Sequence, residues 1–155
     1  MEVTVTHGTF TMERVYGAAP ERVFRAFADG EQKRRWFAEG DGRDVVAFEV
    51  RFAVGGRERT STRFPEGTRF AGEILTNESV YLDIVEERRI VFAYSMAFGE
   101  RRFSASLATI ELEECEGGTR MRFTEQGAYF EGSDGVQMRE AGWRQIFEHL
   151  GKYLA

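Results

Sequence analysis

Glu125 shares the two-residue parity of Met121 and Phe123, so the alternation that buries those side chains also turns a carboxylate inward. A carboxylate taken out of water must be paired, or it takes up a proton. At 100° per residue, Arg139 falls on the inward arc of a C-terminal helical stripe, one turn before Trp143, and could supply the partner charge. Such a pair could orient an acidic or hydroxylated ligand; separately, the Trp143 indole N–H could donate to a ligand or water, and the Tyr94 hydroxyl is the best polar group among the strand rings. The competing reading is the default for residues of this kind. In it, Glu125 leaves the interior where its strand bends, and Arg139 carries its charge out to water along its apolar stem.

Around these polar groups the sequence places rings. Phe52, Phe92, Tyr94, Met96 and Phe123 share the apolar parity expected of one sheet face, and Trp143, Phe147, Ile146 and Leu150 form one helix face. Trp36 belongs to an earlier short helix. Many apolar walls with few polar groups make a ligand pocket, although the same residues also make an ordinary core. The candidate ligand-binding set is therefore Trp36, Phe52, Phe92, Tyr94, Met96 and Phe123, joined by Glu125, Arg139, Trp143 and Phe147.

Other chemistries lack their residues. His7 and His149 are far apart and there is one cysteine, so no metal-ligand spacing exists and no metal or cofactor is expected. Cys115 lies between Glu114 and Glu116, whose charges disfavour a thiolate nucleophile. Neither a phosphate loop, a nucleophile triad order nor a dinucleotide glycine motif is found, and no catalytic residue is assigned. The net charge of −5 without a basic run argues against nucleic acid. Met1-Glu2-Val3-Thr4 carries no secretion signal, and no stretch approaches the ~18 apolar residues of a membrane span. A lone cysteine fits a reducing compartment, so a cytoplasmic location is expected.

The elements that must hold these groups follow from periodicity. Residues 8–16 read as a strand, and Pro20 opens a helix carrying Val23, Phe24 and Phe27. Asp29 with Gln32 resembles a capping box for a second short helix that bears Trp36 and Phe37. From residue 45 the period becomes two, with Val46, Phe48, Val50, Phe52 and Val54 on one face. Gly55-Gly56 turns the chain into a strand over 57–64, and Pro65-Glu66-Gly67 turns it again. Residues 68–77 read equally as a strand or a rim loop, and 65–78 as a strand or a lid. Strands follow over 81–86, 90–98, 102–113 and 120–129, with a parity slip between Leu107 and Ile110 that predicts a bulge. Asp134 with Gln137 is a second candidate capping box, opening the last helix. No linker or repeat interrupts the chain, so residues 1–155 are expected to form a single domain.

Several short segments together resemble the START-like, helix-grip superfamily, also called SRPBCC or Bet v 1-like, in its branch related to the heat-shock-protein ATPase activators. They are Ala19-Pro20-Glu21-Arg22-Val23-Phe24 with Phe27, Trp36, Val54-Gly55-Gly56, Arg89-Ile90-Val91-Phe92, Thr124-Glu125-Gln126-Gly127 and Gly142-Trp143 with Leu150. The resemblance implies an α+β helix-grip fold. In it, a curved seven-stranded antiparallel sheet wraps a long C-terminal helix, with two short helices after the first strand. It also implies an internal cavity, in a superfamily that binds lipids, hormones and polyketides. The leading expectation is thus a non-catalytic module for an apolar or aromatic small molecule. The alternatives are a protein-interaction role, co-chaperone or homodimer, and thirdly a polyketide cyclase or dehydratase using Glu125 or Tyr94 as acid or base.

Overall fold

A computed structural model describes residues 2–155; Met1, part of the N-terminal stretch read above, lies outside the described residues. Strand β1 (Val5–Tyr16) leads into α1 (Pro20–Ala28) and α2 (Gly30–Lys33), followed by a π-helical turn over Arg34–Ala38 and a 3-10 turn over Gly40–Gly42. Six strands follow: β2 (Asp44–Val50), β3 (Arg57–Arg63), β4 (Ile74–Val85), β5 (Arg89–Phe98), β6 (Arg101–Cys115) and β7 (Gly118–Phe130). Helix α3 (Gly135–Leu154) comes last. The seven strands form one antiparallel sheet in the order β1-β7-β6-β5-β4-β3-β2, and the helices cover its concave side.

Helix α1 starts as the sequence directs, with Pro20 in its first turn and the Ala19 carbonyl accepting from Arg22 and Val23. It buries Val23, Phe24, Ala26 and Phe27 and stops at Asp29. Stopping leaves the Ala26 carbonyl without a helical partner, and the Trp36 indole N–H donates to it at 2.9 Å. Half of the expected capping box forms. Asp29 Oδ1 accepts from the Glu31 N–H, while the Gln32 amide reaches the Asp29 side chain instead of its backbone.

Helix α3 buries Arg139, Trp143, Phe147, Leu150 and Leu154 against the sheet, with Ile146 and Tyr153 half-buried along the margin. Its start differs from expectation. Asp134 makes no side-chain cap, because its carboxylate is taken by Arg139, and Ser133 Oγ accepts from the Gly135 N–H instead.

Two strand readings are corrected and an open one is resolved. Strand β2 ends at Val50, so Phe52 lies in the following turn, and a bulge between Val45 and Ala47 turns Val46 outward. The bulge expected near Leu107 lies instead opposite Met96 and Ala97, at Phe103. From Ser104 to Leu112 the burial alternates without a break, with Leu107 on the outer face. The ambiguous stretch divides: residues 65–73 are turns pinned by Phe70, which stacks on Phe98 and packs tilted against Phe64, and β4 begins at Ile74. Among the described residues no helix is long and apolar enough to cross a membrane.

Candidate functional site

The concave face carries two polar clusters embedded in rings. The first is built around Glu125, which the parity of β7 turns inward until it is 0 % exposed. Tyr94 donates its hydroxyl to Glu125 Oε1 at 2.5 Å, and the Trp143 indole donates to the same oxygen at 2.9 Å and to Tyr94 at 3.0 Å. Oε2 accepts from Ser106 and Tyr129, each at 3.2 Å, and faces Arg139 Nη1 at 3.6 Å. Arg139, 5 % exposed, also donates to Tyr94 at 3.0 Å, to Ser104 at 2.8 Å, and through Nε and Nη2 to both Asp134 oxygens at 2.9 Å. The solvent-reaching alternative for Glu125 and Arg139 is therefore corrected: the two form a buried pair.

Electrostatics follow from that enclosure. Burial pushes the Glu125 carboxyl above its ordinary value, against the pull of Tyr94, Arg139, Trp143 and Ser106. Burial also raises the Tyr94 and Tyr129 hydroxyls, and the neighbouring carboxylate adds to the effect. Desolvation works against the Arg139 cation, yet Tyr94, Asp134 and Glu125 hold its proton more firmly than usual. Every polar atom of the pair is engaged internally, which suits a network that fixes α3 on the sheet.

The second cluster was not read from the sequence. Lys33, at the end of α2 and 6 % exposed, donates to Glu58 Oε1 on β3 at 2.8 Å and to the Tyr81 hydroxyl on β4 at 3.4 Å. Tyr81 in turn donates to the same Glu58 oxygen. The Lys33 ammonium also faces the Phe37 ring at 4.7 Å and the Phe92 ring at 5.9 Å. Parity on β3 held the missing signal. Arg57, Arg59 and Arg63 occupy one parity, which leaves Glu58 and Thr60 to point inward. Ser104 and Ser106 were missed because small hydroxyl residues leave no apolar signature.

Of the expected residues, Trp36, Phe92, Tyr94, Phe123, Trp143 and Phe147 interlock in the core. Trp143 packs on Phe123, Phe147, Phe37, Tyr94 and Phe92 with ring centroids 4.7–6.4 Å apart. Phe52 packs edge-on to Tyr81 at 5.0 Å, and Met96 is half-buried at the end of the β5 row. An internal cavity was expected, open or filled, and among the described residues the space beneath α3 is small. Between the two clusters, among Lys33, Trp36, Phe37, Phe92 and Trp143, the space left is about 10 Å³, room for one water. The rings fill the concavity instead of lining it. Among the described residues no group of histidine, cysteine and acidic side chains could hold a metal ion.

A profile of the family described as activator of Hsp90 ATPase homolog 1-like protein matches residues 17–155. An uncharacterised protein of Rhizobium leguminosarum superposes with a TM-score of 0.92 at 34 % identity, covering 99 % of this chain and 98 % of that one. The Mll3558 protein of Rhizobium loti gives 0.84 at 45 % identity over 97 % and 99 % of the two chains. CV1439 of Chromobacterium violaceum gives 0.74 at 25 % identity over 94 % and 96 %. No curated protein matches the chain.

Proposed function

This chain belongs to the activator of Hsp90 ATPase homolog 1-like family, and from that premise we propose that it is a small-molecule-binding module taking an apolar, aromatic ligand between the sheet and α3. The observation that carries this reading is the wall around the small void. Apolar rings surround it, and one charged group, the Lys33 ammonium, stands among them. An apolar enclosure with few convergent polar groups is the usual make-up of a ligand site. The void is closed here, so a guest has to displace side chains. Half of the wall is suited to that. Phe27, Lys33, Trp36 and Phe37 belong to the helical segment before β2, and the half-buried Phe52 to the turn after it, so none of them is held in the strand ladder. A π-helical turn beside the void fits the tendency of such turns to accompany functional sites. Opening carries a penalty in affinity: if the open form is about 1 % of molecules, apparent Kd weakens about 100-fold.

The test is native mass spectrometry of the purified protein before and after denaturing extraction, with an apolar naphthalene probe added to the stripped protein. A retained small molecule, or stoichiometric probe binding, supports the module. Folded protein that retains nothing and binds no probe overturns it. Glu125 and Tyr94 exchange their hydrogen bonds with each other, Trp143 and Arg139, so the acid–base alternative has no unoccupied group to offer.

One observation favours a second reading, association with another copy of the chain. The outer face of the sheet has a neutral middle with Val80, Val91, Ala93, Leu107 and Leu82, the last 49 % exposed. Charged pairs such as Glu13–Arg122 and Arg59–Glu78 border it. An apolar centre with a polar rim is the anatomy of an interface. A dimer in the same native spectrum, lost on Leu107→Glu, would support it; a monomer at all concentrations would dismiss it.

A further inference from the structure

The chemistry of the closed interior also says which guests it admits. We propose that the void selects neutral, flat aromatic molecules bearing an acceptor oxygen, a ketone or a phenol, which takes a hydrogen bond from Lys33; this rests on the binding-module reading above. Three observations lead there.

Lys33 carries three N–H donors and has two oxygen acceptors, Glu58 and Tyr81. The remaining donor has rings for company, Phe37 at 4.7 Å and Phe92 and Tyr81 at 5.9 Å. A guest oxygen in the void would complete the ammonium with a charge-assisted hydrogen bond.

Both interior cations are already neutralised. Lys33 lies 2.8 Å from Glu58, and Arg139 lies 2.9 Å from Asp134 and 3.6 Å from Glu125. A carboxylate guest would bring a second anion beside Glu58 with no free cation to meet it, and an ammonium guest would face Lys33. A buried charge without a partner is strongly disfavoured, so ions of either sign are turned away. A Lys33 lacking Glu58 would favour acids; the ion pair converts the same lysine into a donor for neutral oxygen.

The shape of the guest comes from the rings. Trp36, Phe37, Phe52, Phe92 and Trp143 present faces and edges from the roof, the sheet and α3, which suits a plate better than a branched chain.

The test is equilibrium dialysis of the stripped, folded protein against naphthalene, 2-acetonaphthone and 2-naphthoate, with bound probe quantified by mass spectrometry. The ketone should bind about 10- to 100-fold more tightly than naphthalene, the gain of one hydrogen bond to a charged donor. The naphthoate should bind at least about 100-fold more weakly than the ketone. The paired variant Lys33→Met with Glu58→Gln removes both charges together, so neither is left stranded. In it naphthalene should bind within about threefold of wild type while the preference for the ketone collapses. Naphthoate binding as tightly as the ketone, or a ketone preference surviving in the paired variant, overturns the proposal while leaving the binding module intact. A ketone that binds no more tightly than naphthalene likewise overturns the selectivity alone, whereas failure of all three probes to bind wild type overturns the module, and the selectivity with it.

Discussion

Replacing Arg139 by methionine should cost the protein about 3–5 kcal/mol at neutral pH, because it leaves the Glu125 carboxyl buried without its cation. The magnitude can be checked against the geometry. Two unit charges 3.6 Å apart attract by about 4–5 kcal/mol at an effective dielectric of about 20. Arg139→Met also removes the bonds to Tyr94 and Ser104, while methionine retains most of the packing volume. A double-mutant cycle with Glu125→Gln isolates the pair. The two single costs should exceed the cost of the double variant by about 2 kcal/mol or more. The pH dependence has a definite sign. The Glu125 carboxyl is raised above its ordinary 4.5, so the folded state binds that proton more tightly than the unfolded state. Its stabilising contribution is complete below that value and is lost as pH rises through the raised one. Arg139 is one of the groups that lower it, so removing the arginine raises it further and widens the window of loss. The penalty of Arg139→Met should therefore be small at about pH 5 and grow toward pH 8, measured as the difference between variant and wild-type urea curves. A penalty under about 1 kcal/mol at pH 8, a coupling within about 0.5 kcal/mol of zero, or a penalty independent of pH would refute the reasoning.

Three further outcomes are expected. Trp143→Phe removes the indole donor shared by Glu125 and Tyr94 and should destabilise by about 2 kcal/mol in urea, a loss that a merely hydrophobic tryptophan would not show. Gly8→Ala would place a methyl 2.6 Å from Val136 Cβ and should cost about 1–3 kcal/mol in urea, a loss that Val136→Ala relieves only in part because the Cβ contact remains. Glu87 in the β4–β5 turn has φ 63°, so Glu87→Gly should raise Tm by about 2 °C, as relief of about 1 kcal/mol at a left-handed position implies.

Periodicity made the helices and the parity of β5 and β7 legible, and with them the inward course of Tyr94, Phe123 and Glu125. What it could not supply was register. Lys33 meets Glu58 only because the fold brings the end of α2 within side-chain reach of β3, and no local pattern announces a contact between a helix end and a strand. The carboxylate of Asp134 was misread for a related reason. Its position suggests a cap, but Arg139, reached after five residues of helix, competes for the same oxygens and holds them. The bulges in β2 and at Phe103 shift parity by one residue, which displaced Val46 outward and left Leu107 on the outer face. The aromatic excess fits a lining and a core equally, and which of the two it makes is a matter of ring packing that composition does not determine.

Strand β1 pairs with β7 along its whole length, from Val5 opposite Phe130 to Tyr16 opposite Thr119. On a ribosome making about 5–20 residues per second, the first strand therefore spends several seconds as an unmatched edge while β2 through β6 assemble as successive hairpins. Its partner and its helix arrive together at the end, and Tyr16 then donates to the Phe147 carbonyl of α3. Completion of the sheet by β1 and insertion of the helix thus belong to one late event, slow by topology and exposed to edge-to-edge aggregation until it is done. A nascent chain stalled before β7 would display β1, β6 and the whole concave face at once, making it the natural client of the cell's holding chaperones.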